Sequence, residues 1–290
     1  MVWVVLVFVA GTQGIFARKL TDALNRTVNL PDLPQRIVCL SPSLAETVFA
    51  LGLEKFVVGV TDFTEYPPSV PSKPSVGELV NPAIEKIISL QPDLVLAEMG
   101  LNRPSLIIQL EHLGIPVFVF NPESLNEVLI TIQQIGDILN QTSEAQNLVK
   151  LLMERRQEVH RKVSKFPRPK VLMVVWYSPV ITAGGKAFVT DVISAAGGES
   201  VTANIPQAWP QISLEEVIRR EPDILLLVQG PHGGMTLEEL RNHEGWSRLD
   251  AVIQNRVVYM GQNMEHSSPL VFDALGELAR KLHPKAFQLD

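Results

Sequence analysis

The sequence predicts an α/β fold with two Rossmann-like lobes, one long α-helix joining them and a ligand cleft between the lobes. Three observations lead to this prediction. Short apolar runs alternate with helical patterns, one long segment has no Gly or Pro, and a motif recurs at a constant spacing. At 290 residues, with 46% hydrophobic and 19% charged residues, the chain can bury a large core.

The apolar runs predict buried, mostly parallel strands. They lie at 37–40, 56–60, 94–97, 116–120, 171–175, 224–228 and 256–260. The helical patterns lie at 43–51, 82–90, 103–113, 124–139, 186–196, 213–220 and 271–282. In an open parallel sheet the ligand-binding groups gather beyond the carboxyl ends of the strands, so we expect the site there.

The segment from Thr142 to Lys165 predicts one continuous helix that Phe166-Pro167 ends. On either side of it the chain repeats itself: the residues from Glu85 match those from Glu215 without a gap, at a constant offset. We therefore expect an N-terminal lobe at 18–141, a linking helix at 142–166 and a C-terminal lobe at 167–290. A continuous helix resists bending, so small rocking of the lobes is expected rather than wide hinge closure.

The N-terminal segment predicts export. Residues 1–17 carry no charge and open with an apolar run from Val2 to Ala10. The run is too short for a membrane span of about 20 residues and predicts a signal peptide cleaved after Ala17, hence a periplasmic or otherwise exported protein. An uncleaved buried strand is the alternative, since no positive residue precedes the run and Ile15 replaces the usual small residue.

Charge and cysteine counts exclude several functions. A net charge of −6 without a long Lys/Arg cluster argues against nucleic acid and anionic membranes as partners. Cys39 is the only cysteine, so disulfides and multi-cysteine zinc sites are excluded, and its apolar neighbours predict a buried thiol. No metalloprotease, P-loop, nucleophile-elbow or dinucleotide motif is present, so we predict neither catalysis nor a resident cofactor.

Aromatic and histidine residues after predicted strands are candidates for the cleft. Trp209 lies in a proline-bounded loop, where a half-exposed ring suits stacking on a flat ligand; core packing is the alternative. His232 and His266 lie on post-strand loops and are candidates to coordinate a metal carried by the ligand, against ordinary loop positions. Further candidates for aromatic walls, each equally compatible with the core, are Phe63, Tyr66, Trp176 and Tyr177.

The repeat singles out Glu85 and Glu215, each at the start of a short predicted helix. The helix dipole stabilises a carboxylate there by roughly 0.3–1 kcal/mol, which alone explains both residues. Alternatively, matching acids on two lobes form a bipartite anionic patch for a symmetric basic partner. The residues alone do not decide between these interpretations.

An ordered series of motifs resembles the helical-backbone class, or class III, of periplasmic substrate-binding proteins of ABC importers. Within that class, the members that bind cobalamin are most similar, and the resemblance runs from about Pro34 to the C-terminus. The motifs are Arg36 to Glu46, Asp62 to Pro68, Pro92 to Ala97, Leu113 to Val117 and Trp209 to Ser213.

The resemblance implies a monomeric protein that captures a metal chelate and delivers it to an ABC permease dimer with its ATPase. Cobalamin or a related corrinoid is the leading ligand. A ferric siderophore or haem is the alternative within the class. An α/β metal-cofactor enzyme is the alternative from another class, but it requires clustered Cys or His that the chain lacks.

The resemblance also assigns residues. Glu85 and Glu215 match the two glutamates that dock onto arginines of the permease, and Trp209 matches a pocket tryptophan. Other positions depart from the cobalamin-binding members: Leu79 and Glu98 replace aromatics, whereas Phe63 keeps one. Gln262 and His266 replace an Asp and an Arg near the last loop. Glu98 and His266 are therefore candidates for ligand contacts that differ from those of the cobalamin-binding members.

Overall fold

The computed structural model describes residues 18–62, 64–229 and 235–288. Its helices are α1 (Pro42–Ala50), α2 (Ile84–Ser89), α3 (Pro104–His112), α4 (Leu125–Ile138), α5 (Thr142–Val163), α6 (Phe188–Ala195), α7 (Leu214–Arg220), α8 (Leu237–Asn242), α9 (Asp250–Ile253) and α10 (Val271–Leu282). Its strands are β1 (Arg18–Thr21), β2 (Thr27–Leu30), β3 (Ile37–Cys39), β4 (Val57–Val60), β5 (Leu94–Glu98), β6 (Val117–Phe120), β7 (Lys170–Val174), β8 (Trp176–Tyr177), β9 (Val180–Ile181), β10 (Glu199–Ser200), β11 (Gln211–Ile212), β12 (Ile224–Gln229) and β13 (Val257–Gly261).

Each lobe contains a four-stranded parallel sheet, with the order β4-β3-β5-β6 in the N-terminal lobe and β10-β7-β12-β13 in the C-terminal lobe. The predicted α/β class is confirmed. The antiparallel β1-β2 hairpin and the small antiparallel sheet β11-β9-β8 are additions that the sequence did not predict. Strands of two to four residues are too short for apolar alternation to reveal them.

The two lobes share one hydrophobic core. On β3, Ile37 faces a buried cluster that continues through both lobes, and Val171 on β7 faces the same cluster. Their neighbours Val38 and Leu172 point the other way, into smaller clusters on the outer side of each sheet. Because strand side chains alternate between faces, each sheet is covered on both sides and one side of each belongs to the common core.

The linking helix α5 lies along this common core. It packs against α4 of the N-terminal lobe and α10 of the C-terminal lobe. Its buried stripe consists of Ala145, Leu152, Val159 and Val163. The helix ends at Val163 with Ser164 as its C-cap, slightly before the predicted end, because a helix must stop ahead of Pro167.

Several sequence expectations can be compared with the described residues. Cys39 is buried as predicted, and burial raises the pKa of its thiol to about 12. The predicted signal peptide at 1–17 lies outside the described residues, and the lobe boundaries stay predictions. In the part of the chain that the structure describes, no helix has both the length and the apolar character needed to cross a bilayer.

Gly136 allows α4 to approach α5, because a Cβ atom there would lie 2.3 Å from the Ala145 Cβ and 3.0 Å from the Gln141 carbonyl oxygen. Gly136→Ala should therefore lower the free energy of unfolding by about 1–3 kcal/mol, the usual effect of overpacking. Gly276→Ala on α10 is the matched control, since its nearest contacts are 3.8 Å or more away. It should be neutral or stabilising by up to about 1 kcal/mol. Equal urea unfolding curves for the two variants would contradict this view of the α4–α5 contact.

Candidate ligand-binding cleft

The carboxyl ends of the two parallel sheets meet and are joined by hydrogen bonds, and we take this meeting point as the floor of the candidate cleft. In the N-terminal lobe, β5 ends at Glu98, and Ser41 lies just after β3. In the C-terminal lobe, the loop after β13 carries His266 and Ser267. Hydrogen bonds join Glu98 to Ser267 and Glu46 on α1 to His266, so residues from both lobes form the floor.

Glu98 is the buried centre of this floor. The Ser41 hydroxyl donates to Oε2 at 2.7 Å, and the Ser267 hydroxyl of the other lobe donates to Oε1 at 2.8 Å. Its backbone N–H donates to Asn102 Oδ1 at 2.8 Å. Burial raises the pKa of the Glu98 carboxyl, while the two serine hydroxyls and nearby His266 partly offset this rise. Both carboxyl oxygens are therefore hydrogen-bonded, Oε2 within the N-terminal lobe and Oε1 across to the C-terminal lobe.

Glu46 and His266 form a second contact between the lobes. His266 Nδ1 lies 2.8 Å from Glu46 Oε1, and the Glu46 side chain is only 2% exposed. Burial lowers the pKa of His266, but the hydrogen bond and charge of Glu46, together with Glu265 and Glu98, outweigh it and raise the pKa overall. The arrangement places a basic imidazole among three carboxyl groups at the cleft floor.

Three aromatic rings in segments beyond the parallel sheets are half-exposed. Tyr66 follows β4 and is 51% exposed, while Trp176 and Trp209 of the C-terminal lobe are 50% and 48% exposed. Trp176 on β8 and the segment after Trp209 belong to the same small antiparallel sheet, in which β9 pairs with both β8 and β11. Exposed aromatic faces of this kind can stack on a flat apolar ligand.

Contacts with neighbouring residues fix the position of the Trp176 ring. The Trp176 and Tyr177 rings stack with centroids 5.2 Å apart, and Tyr177 in turn contacts His243 at 4.2 Å. The Trp176 indole N–H donates to the Ser178 carbonyl at 2.9 Å. Tyr177 is half-buried in the outer core of the C-terminal lobe, so it holds Trp176 in place and offers less surface to a ligand.

The predicted site residues do not all have the same surroundings in the structure. Contact with a ligand requires an accessible ring, and the rings of three predicted residues are about half-exposed: Tyr66, Trp176 and Trp209. Glu98 is 7% exposed and lies in the floor, where it is bonded to serines rather than forming a wall. Phe63 and His232 lie outside the described residues, and their proposed roles stay predictions.

Sequence reasoning placed Ser41 among the groups that follow the strands but missed Glu46 and Ser267 as parts of the site. Ser41 and Glu46 do lie within the recognised motif after β3, but nothing in the sequence identified their partners. Ser267 is adjacent to His266, and its bond to Glu98 joins residues that are far apart in the chain. Such a contact depends on how the lobes face each other, which a local pattern does not encode.

Glu85 and Glu215 lie in the first turns of α2 and α7, and both are exposed. The Glu215 backbone N–H and the Ser213 hydroxyl lower the pKa of the Glu215 carboxyl. The neighbouring Glu216 is paired with Arg219 and Arg220, whereas neither Glu85 nor Glu215 has an ion pair among the described residues. The two carboxylates are thus available at equivalent places in the repeat.

The described residues do not offer a site for a bare metal ion: no group of three or more His, Cys, Asp or Glu side chains among them has suitable geometry. A groove of about 850 Å³ lies elsewhere, between α4, α5 and α6. Most of its lining residues are polar or charged, and none is Trp, Tyr or Phe.

The raised pKa of Glu98 has a consequence for stability. A carboxyl group whose folded pKa lies above its unfolded value stabilises the fold fully only below the unfolded pKa, and this contribution is lost as pH rises through the folded pKa. Glu98→Gln keeps the polar contacts and does not ionise. In urea unfolding, the variant should therefore become progressively more stable relative to wild type as pH rises above the ordinary pKa of a glutamate carboxyl. Glu144→Gln, an exposed acid on α5, is the control. Parallel curves for wild type and Glu98→Gln would rule out a buried ionisation here.

The chain is similar to known proteins in both sequence and structure. Residues 37–264 match the family model described as periplasmic binding protein. The chain is 30% identical over 282 residues to an uncharacterized ABC transporter substrate-binding lipoprotein, YvrC, of Bacillus subtilis, a match that covers 94% of this chain and 88% of that protein. It is 27% identical over 224 residues to the vitamin B12-binding protein of Photorhabdus laumondii, which covers 73% of this chain and 81% of that protein. Among solved structures, the periplasmic heme-binding protein RhuT of Roseiflexus sp. RS-1 is similar, with a TM-score of 0.76, 25% identity and coverage of 87% of this chain and 99% of that one.

These matches confirm the predicted resemblance and the predicted export of the protein. The relatives are binding components of transport systems rather than enzymes. With a family model that matches most of its length, the chain belongs to the periplasmic binding protein family, the class III substrate-binding proteins of ABC transporters.

Proposed function

We propose that this protein captures a metal chelate, cobalamin or a related corrinoid, in the cleft between its lobes and delivers it to an ABC permease with its ATPase. The observation that carries the proposal is a pair of half-exposed tryptophans: Trp176 on β8 of the small antiparallel sheet, and Trp209 just before β11 of the same sheet. A corrin ring is large and largely flat, so it can cover both indoles. In this proposal the chain acts as a monomer and catalyses no reaction.

The distribution of polarity in the cleft supports a large ligand with an apolar face. Ligand sites are typically lined by apolar and aromatic side chains with a few polar groups that fix orientation. Here Tyr66 and the two tryptophans offer the aromatic surface, and the floor offers one imidazole, His266. A bare metal ion or a small oxyanion would leave the exposed rings uncovered.

The choice of a corrinoid rests on the relatives named as vitamin B12-binding proteins. Haem is the second candidate, and one observation favours it: Glu98 at the end of β5 is committed to a polar floor in place of an aromatic wall, and a structurally similar protein is named as heme-binding. A ferric siderophore is the third ligand of this class. Phe63 and His232 remain candidate contacts for any of these ligands.

The same proposal assigns permease docking to Glu85 and Glu215. The two carboxylates occupy equivalent positions in the two repeats and lack ion-pair partners among the described residues. A protein with two similar lobes can place one acid against a basic residue of each subunit of a two-fold permease. The helix-dipole explanation requires no partner, so an experiment must separate the two.

The ligand assignment is tested by titrating the protein with cyanocobalamin, haemin and a panel of ferric siderophores, with tryptophan quenching and calorimetry as readouts. Trp209→Ala should weaken the tightest-binding ligand by about 2 kcal/mol, or roughly 30-fold in Kd, because a stacked aromatic anchor is lost. Ile253→Ala is the control, an exposed apolar side chain at the end of α9 that has no role in the proposed site. Unchanged affinity in Trp209→Ala would remove this ring from the site.

The docking assignment is tested in proteoliposomes that contain the permease and ATPase of the same source organism. Glu85→Ala/Glu215→Ala should bind ligand and unfold like the wild type but fail to support uptake, since exposed carboxylates contribute little to stability and docking depends on charge. The control pair Glu144→Ala/Glu238→Ala removes two other first-turn carboxylates. Wild-type uptake by the Glu85/Glu215 double variant would leave the helix dipole as the sufficient explanation.

A further inference from the structure

The repeat that contains Glu85 and Glu215 also contains a matched pair of isoleucines. Ile88 lies three positions after Glu85 on α2, and Ile218 lies three positions after Glu215 on α7. The exposed fractions of the two isoleucines are nearly the same, 41% and 40%. The two places are therefore alike in sequence, in position on the helix and in accessibility.

Each helix is anchored by one buried side chain that lies between the glutamate and the isoleucine in the sequence. Ile87 on α2 and Val217 on α7 are fully buried, in the clusters on the outer side of each sheet. Residues three apart on a helix are neighbours on its surface, with Cβ atoms about 5–6 Å apart. The glutamate and the isoleucine of each lobe thus form one small patch, in which a carboxylate lies beside an exposed apolar side chain.

The rest of the two helices is not the same. Over the six residues of α2, only the glutamate and the isoleucine are identical in α7, whereas Lys86 corresponds to Glu216 and Ser89 to Arg219. The helix dipole explains an acid in a first turn, but it does not explain an exposed isoleucine. A β-branched side chain also adds little to the stability of a short helix. A partner that both lobes contact explains why the two residues occur together twice.

We propose that each of these patches receives one basic side chain of the permease dimer: the carboxylate pairs with its charged head, and the isoleucine packs against its aliphatic stem. Basic side chains suit such a patch because they carry a charge at the end of an apolar stem. The inference rests on the proposed docking by Glu85 and Glu215, and it adds Ile88 and Ile218 as the apolar part of the contact.

The place of the two helices in the fold allows both patches to meet one partner. The helix α2 ends at Ser89 ahead of β5, and α7 ends at Arg220 ahead of β12. These strands have the same position in their sheets, third in the order β4-β3-β5-β6 and third in β10-β7-β12-β13. Two similar lobes therefore carry the patches at equivalent places, as contact with a two-fold partner requires.

The charges beside the C-terminal patch leave its docking acid available. Arg219 and Arg220 both contact Glu216, so the two nearby cations are already paired. The Glu215 backbone N–H and the Ser213 hydroxyl lower the pKa of the Glu215 carboxyl, which keeps this group ionised at neutral pH. The patch thus offers a negative charge to a basic side chain from outside the chain.

The test measures docking of the full chain, without ligand, on the permease and ATPase of the same source organism in lipid nanodiscs. Surface plasmon resonance gives association and dissociation rates at several salt concentrations for Ile88→Ala, Ile218→Ala and the double variant. The matched control is Ile108→Ala/Ile253→Ala, which removes one isoleucine from each lobe. Ile108 on α3 and Ile253 on α9 are 51% and 59% exposed and lie outside the patches.

Each single isoleucine variant should dock about 3–10-fold more weakly, and the double variant about 10–100-fold, because apolar contacts are lost. The loss should come mainly from faster dissociation and should persist at high salt, since salt screens charges and not apolar contacts. Glu85→Ala/Glu215→Ala should instead slow association and flatten its salt dependence. The control pair should dock like the wild type, and all variants should unfold like it in urea, because these side chains are exposed.

Docking of Ile88→Ala/Ile218→Ala that equals that of the control pair would overturn the inference and leave docking by the glutamates in place. A loss that disappears at high salt would also overturn it, since the lost contact would then be electrostatic. A dimer of this chain in analytical ultracentrifugation that the isoleucine variant abolishes, with normal docking, would assign the surface to a second copy instead. If Glu85→Ala/Glu215→Ala docks like the wild type, the proposed docking is wrong, and this inference with it.

Discussion

Both parallel sheets pack one face against the same hydrophobic core, and the rest of the structure depends on this sharing. The linking helix α5 runs along that core and contacts α4 in one lobe and α10 in the other. Moving the lobes far apart would expose apolar surface at a cost of about 25 cal/mol per Å². The carboxyl ends of the strands are thereby held facing each other.

The floor of the cleft adds a polar constraint to this apolar one. Glu98 accepts hydrogen bonds from Ser41 of its own lobe and Ser267 of the other, and Glu46 holds His266 in the same way across the boundary. Buried carboxylates are stable only when they are well paired, so each of these contacts depends on the relative position of the lobes. Tyr66, Trp176 and Trp209 stay about half-exposed, which leaves ring surface for a ligand.

The sequence predicted much of the framework because its signals are local. The helix from Thr142 could be predicted from the absence of Gly and Pro, and the two lobes from the repeat that relates Glu85 to Glu215. Helix and strand positions from the main apolar patterns agree with the structure to within about two residues. The two-residue strands that carry Trp176 and precede α7 could not be predicted, since they are too short to show a period.

The candidate site was less predictable than the fold. Exposure of Trp209 followed from its polar, proline-bounded loop, but the burial of Glu98 did not follow from its place at the end of a strand. Ser41 lies 57 residues before Glu98 in the chain, and Ser267 lies 169 residues after it. Only the packing of one lobe against the other brings these groups together.

The central claim is that the shared core and the bonded floor hold the lobes at one separation. It is tested most directly by the distance between spin labels on the two lobes, measured by pulsed electron resonance with and without bound chelate. Ile108→Cys on α3 and Ile253→Cys on α9 supply exposed labelling sites, while the native Cys39 is buried and unreactive. We expect one narrow distribution of label-to-label distances, whose mean changes only slightly when ligand binds. Two populations in the free protein, or a large change on binding, would contradict it.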